Sequence, residues 1–552
     1  MNPRHRHLTR ILAAAAFVAA ASCGRSGCSC DRVEDVEPYL PEDASGAILF
    51  SPPGALQPPI SAFLAGIEGE GGLFDWMAGK YGVDITSEDG LRASGIDPAL
   101  GVALVRRNGV SLLLGGASDQ DAFTRLVYAR LSALGYPAPV ERKGDPPVLE
   151  VTGDPAAGRP HVAFGWKHTL AILATGDEAA PLVDAVRAIA ARNTGGLTTT
   201  DGWRSMAEAL PAHGPGAMAY YDLHALEGDD RPLVALLRGL GPTVGAALEK
   251  GVASSRDLGF RFSVVDDRIS LDALLRAEEA AIPTEWLEAG PPPSFGAMLP
   301  RETTALLRLR ANVAMIQDLP AFLREMILPP GILGRIHPLL AQVDPDRDLL
   351  AHLTGHVAVA LIGLGEESIL GKLLVARNLP QVTSQIQAAL LFQVRDPAAF
   401  LASWAAHTEA PTRAGFTVIE APGIHGGPPV TRLSHPKTGE EYALLVSGDV
   451  VALLCGKEAY VDVRDVLEGR ATALRERAES PLAKAVTGAV GAEADAARLT
   501  AGLFFTFNRL TRQLGEKGAP PFYLRVINSI FEATAALEVT PSSVRLSLEA
   551  VQ

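Results

Sequence analysis

Two halves of this chain repeat one another in order, and that repetition constrains the fold more than any single motif. LPEDASGAILF from Leu40 matches LPRETTALLRL from Leu299, and LLLGGASDQDAF ending at Phe123 matches ALLFQVRDPAAF ending at Phe400. Gly135-Tyr136 then meets Gly415-Phe416, the PPV at Pro146 meets the PPV at Pro428, and HTLAILATGDEA ending at Ala179 meets DVVALLCGKEA ending at Ala459. The offset drifts only from 259 to about 282 residues over these five stations. Repetition on this scale sets the architecture before any motif is weighed. The expectation is one unit at 39–279 and a second at 297–552. Between them, 280–296 carries Pro291-Pro292-Pro293, a stiff stretch that cannot continue a helix and reads as a linker.

Within a unit the hydrophobic period switches between two and about 3.6. In LGFRFSVVDDRISLDALL, Leu258, Phe260, Phe262 and Val264 alternate with other residues, Asp266-Asp267 supply a turn, and Ile269, Leu271 and Ala273 alternate again. AALEVTPSSVRLSLEAV repeats that hairpin around Pro541-Ser542-Ser543, and YALLVSGDVVALLCG turns at Ser447-Gly448-Asp449. Phe123, Leu126, Val127, Leu131 and Leu134 fall at helical spacing behind Asp119, a good N-cap, and Asp396-Pro397 opens the matching helix with proline at its first position. Glu178 to Arg192 and the segment from Glu458 form a second helical pair. Tightly joined strands interrupted by helices predict an α+β fold: two tandem homologous units, each a mostly antiparallel sheet with packed helices.

Ahead of the units, NPRHRHLTR is a basic region followed by the apolar run Ile11–Ala21 and then small residues, the pattern of an export signal over 1–22. Eleven apolar residues are too few to span a bilayer, which needs about 20 residues of helix. Removing the signal's three arginines takes the formal charge from -14 to -17. So acidic a body repels nucleic acid and anionic headgroups, and no basic, aromatic-interleaved run opposes this.

Three of the four cysteines, Cys23, Cys28 and Cys30, crowd behind the signal. Ala20-Ala21-Ser22-Cys23 resembles the lipobox of bacterial lipoproteins, in which small residues precede a cysteine that receives a diacylglycerol before cleavage. The family's commonest residue at the Ala20 position is leucine, and Ala20 and Ser22 would also suit ordinary signal peptidase. The resemblance implies a mature chain beginning at Cys23, acylated and stably anchored. Gly24, in place of the aspartate that retains enterobacterial lipoproteins at the inner membrane, implies an outer-membrane address. Residues 23–38 then read as a polar tether. Cys28 and Cys30 could pair with each other or with another chain in an oxidising envelope. Their spacing lacks the second ligand pair that zinc requires. Cys455, inside VALLCG, reads as a small buried hydrophobe.

The motifs that could carry chemistry fail one by one. His352 and His356 in HLTGH have the i, i+4 spacing of a helical metal pair, but Gly355 weakens a helix, no glutamate follows His352, and VAVALIG behind them reads as a strand, so a surface turn is expected. DPDRD at 344–348 puts carboxylates at positions 1, 3 and 5 of a calcium loop, yet Leu349 stands where glycine is needed and Gly355 where the bidentate glutamate belongs. GLGEESILGKLL is one residue too long between Gly365 and Gly371 for a phosphate loop, and Leu373 has no hydroxyl. No G-x-S-x-G elbow occurs. The acid pairs Asp229-Asp230, Glu366-Glu367 and Glu440-Glu441 read as turns and exposed faces, and His161, His213 and His425 are scattered.

GAMAYYDL (Tyr220, Tyr221) and AGLFFTFN (Phe504, Phe505, Phe507) occupy matching places in the two halves. Adjacent aromatics mean that both faces of such a strand are covered, by core on both sides or by core on one and an apolar groove on the other. AFLREMILPPGILGRIHPLLAQV, broken at Pro329-Pro330, could form a lid over such a groove or pack as helices. The whole resembles duplicated, uncharacterised, signal-bearing lipoproteins of bacterial envelopes, a resemblance that brings no activity and no functional residues with it. The expected role is a non-enzymatic, membrane-anchored binding or scaffolding module for an envelope protein, needing no cofactor or metal. The second reading is a carrier of lipid or another apolar ligand, distinguished by a co-purifying molecule.

Overall fold

The alternating apolar runs become strands. The computed structural model describes residues 33, 35–68, 87–192, 196–223, 255–265, 268–277, 284, 287, 295–318, 345–364, 386–406, 409–413, 415–476, 499–506, 532–540 and 542–551. These fall into two compact units, one up to Arg276 and one from Ala277 to Val551.

In the first unit the strands are β1 (Gly46–Phe50), β2 (Val102–Arg107), β3 (Val110–Gly116), β4 (Val140–Arg142), β5 (Val148–Val151), β6 (His161–Lys167), β7 (Leu170–Gly176), β8 (Gly216–Asp222), β9 (Ser255–Val265) and β10 (Arg268–Ala277). They lie in the order β4-β5-β6-β7-β3-β2-β1-β8-β9-β10. The second unit has β11 (Ala305–Arg310), β12 (Leu353–Leu364), β13 (Ile386–Val394), β14 (Thr417–Ala421), β15 (Val430–Ser434), β16 (Glu441–Ser447), β17 (Val450–Cys455), β18 (Leu499–Thr506), β19 (Glu532–Thr540) and β20 (Ser543–Val551). Their order is β14-β15-β16-β17-β13-β12-β11-β18-β19-β20. Strand for strand, this is the order of the first unit. The registered pairings are all antiparallel, and helices pack on the sheets, so the architecture is α+β with sheet predominating.

Each sheet carries core on both faces. In the first unit, helix Ala180–Ala190 lays Leu182, Val186 and Ile189 on one face, beside Leu112, Leu114 and Ile172. Helix Gln120–Ala133 lays Phe123 and Val127 on the other, against Leu113, Phe164 and Leu173. The second unit repeats the scheme: helix Lys457–Leu467 buries Ala459, Tyr460 and Val463 with Leu306, Ala358 and Leu391, and helix Pro397–Ala405 buries Phe400 with Phe392, Val394 and Val451. Two packed faces explain why strands such as Leu170–Gly176 are apolar without alternation and buried throughout.

The capping expectations hold. Asp119 accepts from the Ala122 N–H at 2.9 Å, and Asp396 from those of Ala398 and Ala399, so each helix start finds a side-chain acceptor for its orphan donors. The β16–β17 turn relies on Gly448 at φ +62°, a conformation that costs glycine little. The Asp266-Asp267 turn lies outside the described residues.

Two segment ends differ from expectation. Val33 and Val36, inside the stretch read as a polar tether, are buried in the first core. Phe295, inside the proline-rich linker, is buried with Met298 and Leu299 in the second. At Val33 and Val36 isolated apolar residues among acidic and basic ones were the only sign that the chain had already joined a core; at Phe295 the sign was the apolar run that continues through Met298 and Leu299.

Candidate functional site

Among the described residues, buried ionisable side chains meet at the β11–β12 end of the second unit. Along β11, Leu306 faces the core built with helix Lys457–Leu467, and the period of two carries Arg308 and Arg310 to that same side. Both arginines are buried, and Arg310 pairs in register with His356 on β12. His356 is only 2% exposed, and its Nδ1 has no hydrogen-bond partner among the described residues. Burial, with the Arg310 and Arg308 charges adding to it and Asp449 opposing, lowers its pKa from the ordinary 6.5 to about 4. Burial likewise lowers that of Arg308, to about 10, with Arg310 contributing. Next to this group Thr354 donates to Gln393 Oε1 at 2.9 Å, and Gln393 Nε2 donates to Asp449 Oδ2 at 2.5 Å.

The expected surface turn at HLTGH is therefore a correction for His356. Gly355, at φ +111°, takes a conformation open to glycine, and the β12–β13 register shifts between Leu353 and Val357. That bulge separates the two imidazoles: His352 meets the Phe400 ring edge-on at 5.8 Å, toward the other core, while His356 sits with Arg310. Their spacing is thus not that of a metal pair. Among the described residues no group of three His, Cys, Asp or Glu side chains is placed to hold a metal ion. In the calcium-loop candidate, Pro345–Leu350 form a helical turn, and Asp344 lies outside the described residues, as do Gly365 to Gly371.

The aromatic strands resolve unevenly. Tyr220 is buried in the first core, its ring edge-on to Trp203 at 5.9 Å, and its hydroxyl donates to the buried Asp257 Oδ1 at 2.8 Å. Burial and that bond push the phenol pKa upward. Tyr221 is half-buried on the opposite side of β8. Phe504 and Phe505 align in register with Leu306 and Ala305; their side chains, and Phe507 entirely, lie outside the described residues, as do Cys23, Cys28, Cys30 and the 321–343 segment. The aromatic concentration that the described residues do show is one the sequence reading missed: Phe123, Phe164 and Trp166 meet with centroids 5.0–5.8 Å apart, and Phe392, Phe400 and Trp404 echo them in the second unit. The signal lay in the matched Phe123 and Phe400.

Other singled-out groups have structural partners. Glu440 is buried, receiving the Thr438 hydroxyl at 2.8 Å and that of Tyr442 at 3.3 Å, so it is not an exposed acid; Glu441 pairs with Arg432 at 3.2 Å. Cys455 pairs with Tyr442 in register, and burial, with Glu440 adding to it, raises its thiol to about 11. Such a thiol is a poor nucleophile near neutral pH. His161 accepts from the Gly153 N–H, and His425 hydrogen-bonds the Leu467 carbonyl at 2.8 Å.

No protein-family model matches the chain, and no curated protein sequence matches it. Solved structures of TP0453 in crystal forms IV, I and III match at 10%, 12% and 10% identity, with TM-scores of 0.26, 0.24 and 0.26. They cover 44%, 44% and 45% of this chain and 80%, 78% and 82% of theirs. At that similarity nothing about this chain's activity or ligands follows from them.

Proposed function

We propose that the chain is a bacterial envelope lipoprotein, anchored through Cys23, whose body is two copies of one α+β unit serving as a non-enzymatic binding or scaffolding module. The observation that carries this reading is the common ten-strand order of the two units, which agrees with the five matched sequence stations. Two like units offer repeated surfaces. Several polar groups of the strands and their turns are engaged in holding the fold: Tyr220 on Asp257, Glu440 on Thr438 and Tyr442, Gln393 on Asp449. The anchor rests on the basic region, the Ile11–Ala21 run and Ala20-Ala21-Ser22-Cys23. Gly24 favours the outer membrane.

Metabolic labelling with a fatty acid tests the anchor. The label follows the wild-type chain into the membrane fraction and is lost with Cys23→Ala, together with membrane retention. An unlabelled wild-type chain, or a labelled Cys23→Ala chain, contradicts it.

A further inference from the structure

The chain enters each unit through the same short clasp. Val36 and Phe295 occupy matching places, and from each a tight turn leads to a leucine, Leu40 or Leu299, followed by proline. The Tyr39 N–H donates to the Val36 carbonyl at 3.1 Å, and the Met298 N–H to that of Phe295 at 3.0 Å. The Leu40 carbonyl then accepts from the Leu197 N–H at 3.1 Å, as that of Leu299 accepts from the Leu474 N–H at 2.7 Å. All four apolar side chains, Val36, Leu40, Phe295 and Leu299, are buried. A Cβ on Gly196 would lie 2.5 Å from the Leu40 oxygen, so backbone passes over backbone there with no room for a side chain. The clasp is therefore part of the repeated unit. In the first unit it extends upstream as a strap: half-buried Glu37 attracts Arg261 of β9, and Val33 is buried, its N–H donating to Thr169 Oγ1 at 3.0 Å. Thr169 lies in the β6–β7 turn, at the end of the sheet where Gly116 of β3 meets Leu170 of β7. Asp177 and the Asn108-Gly109 turn mark the opposite end, about 23 Å away along β7.

We infer that this strap turns the β6–β7 end of the first unit toward the bilayer and holds it there. The inference deepens the anchored-lipoprotein reading and rests on Cys23 as the point of attachment. Ten residue steps lead from Cys23 to Val33. Fully extended they reach at most ~35 Å, and as a coil they average ~17 Å. A stretch free as far as Pro41 would reach ~60 Å and let the unit present any side to the membrane. With the strap docked, the Thr169 end lies within the coil's reach of the headgroups, and the Asp177 end stands up to ~23 Å farther out. Connectivity sets this orientation without help from charge, because a chain of formal charge -14 gains nothing from anionic headgroups. The bilayer is then met by the Lys167–Thr169 turn and by the start of helix Gln120–Ala133, which Gln120 ties to that turn by donating to the His168 carbonyl at 2.8 Å.

The test uses the chain from position 23 onward with Cys28→Ser and Cys30→Ser, which retains every described residue. It is coupled through Cys23 to a thiol-reactive lipid in neutral phosphatidylcholine vesicles that also carry a headgroup diazirine; the buried Cys455 thiol is a poor competitor for the coupling. Mass spectrometry of the crosslinked peptides, normalised to labelling by a soluble diazirine, reads which end meets the bilayer. Crosslinks at Lys167–Thr169 and Ser118–Asp121 are expected to exceed those at Arg107–Val110 and Asp177–Glu178 severalfold. A flexible insertion of about 20 Gly/Ser residues after Arg32 raises the tether's average reach to ~30 Å and removes the preference while leaving every buried contact in place. Gly196→Leu, which presses on the Leu40 carbonyl, frees the strap and removes it too; if that variant does not fold, the insertion decides alone. Crosslinks spread evenly over both ends, a preference for the Asp177 end, or a preference that survives the insertion overturns the proposal. Because attachment at Cys23 is imposed chemically, the two readings fail separately. Even crosslinking refutes the strap and leaves the anchor standing, whereas a wild-type chain without fatty-acid label refutes the anchor and leaves the strap's geometry standing.

Discussion

His356 is held neutral by its surroundings, and that neutrality is a condition of the second unit's stability. Its folded pKa of about 4 lies below the unfolded value near 6.5, so the unfolded chain binds the extra proton between those values. The stability is present above about pH 6.5 and is lost as pH falls toward 4, by on the order of 3 kcal/mol. His356→Gln is expected to flatten this acid limb; urea unfolding at pH 7 and pH 4.5 checks it, and an unchanged slope would show that other groups dominate. In the first unit the Tyr220 hydroxyl satisfies a buried carboxylate at 2.8 Å. Tyr220→Phe removes it and is expected to cost about 1–3 kcal/mol, the penalty of a buried acceptor losing its donor. Trp203, packed on that ring, reports the unfolding through its fluorescence. Neither role was legible in the sequence. Asp257 is 37 positions from Tyr220, and His356 is turned inward by a bulge at a glycine that had looked only like a helix breaker.

At the scale of the element, the sequence was far more informative, because local chemistry decides local structure. Asp119 and Asp396 cap the helices they were expected to cap, the Ser447-Gly448-Asp449 turn joins β16 to β17, and β19 and β20 pair up to Thr540 and Ser543 on either side of the expected turn, whose Pro541 lies outside the described residues. Boundaries were less readable, since Val33, Val36 and Phe295 join cores through partners far away in the chain. Phe400 shows what one such element contributes. It opens helix Pro397–Ala405, is 1% exposed, and packs on Phe392 at 5.4 Å and Trp404 at 6.1 Å. Phe400→Ala leaves a cavity between helix and sheet and is expected to cost about 3–5 kcal/mol, measured as the shift in denaturant midpoint. A loss below about 1 kcal/mol would mean that this helix is not part of the cooperative core.

For the whole molecule, the repetition visible in the sequence pointed to strand hairpins with helices between them, and both units adopt one strand order. The sequence offered no constellation that assigns a reaction. The proposed acylated envelope binding protein is tested most directly by a native mass spectrum of the full protein, gently extracted from its own envelope. The predicted species begins at Cys23, carries acyl mass and holds no releasable small molecule. A chain with an unmodified Cys23 or a different first residue would contradict the anchor, and a releasable lipid-sized mass would replace the scaffold with a carrier.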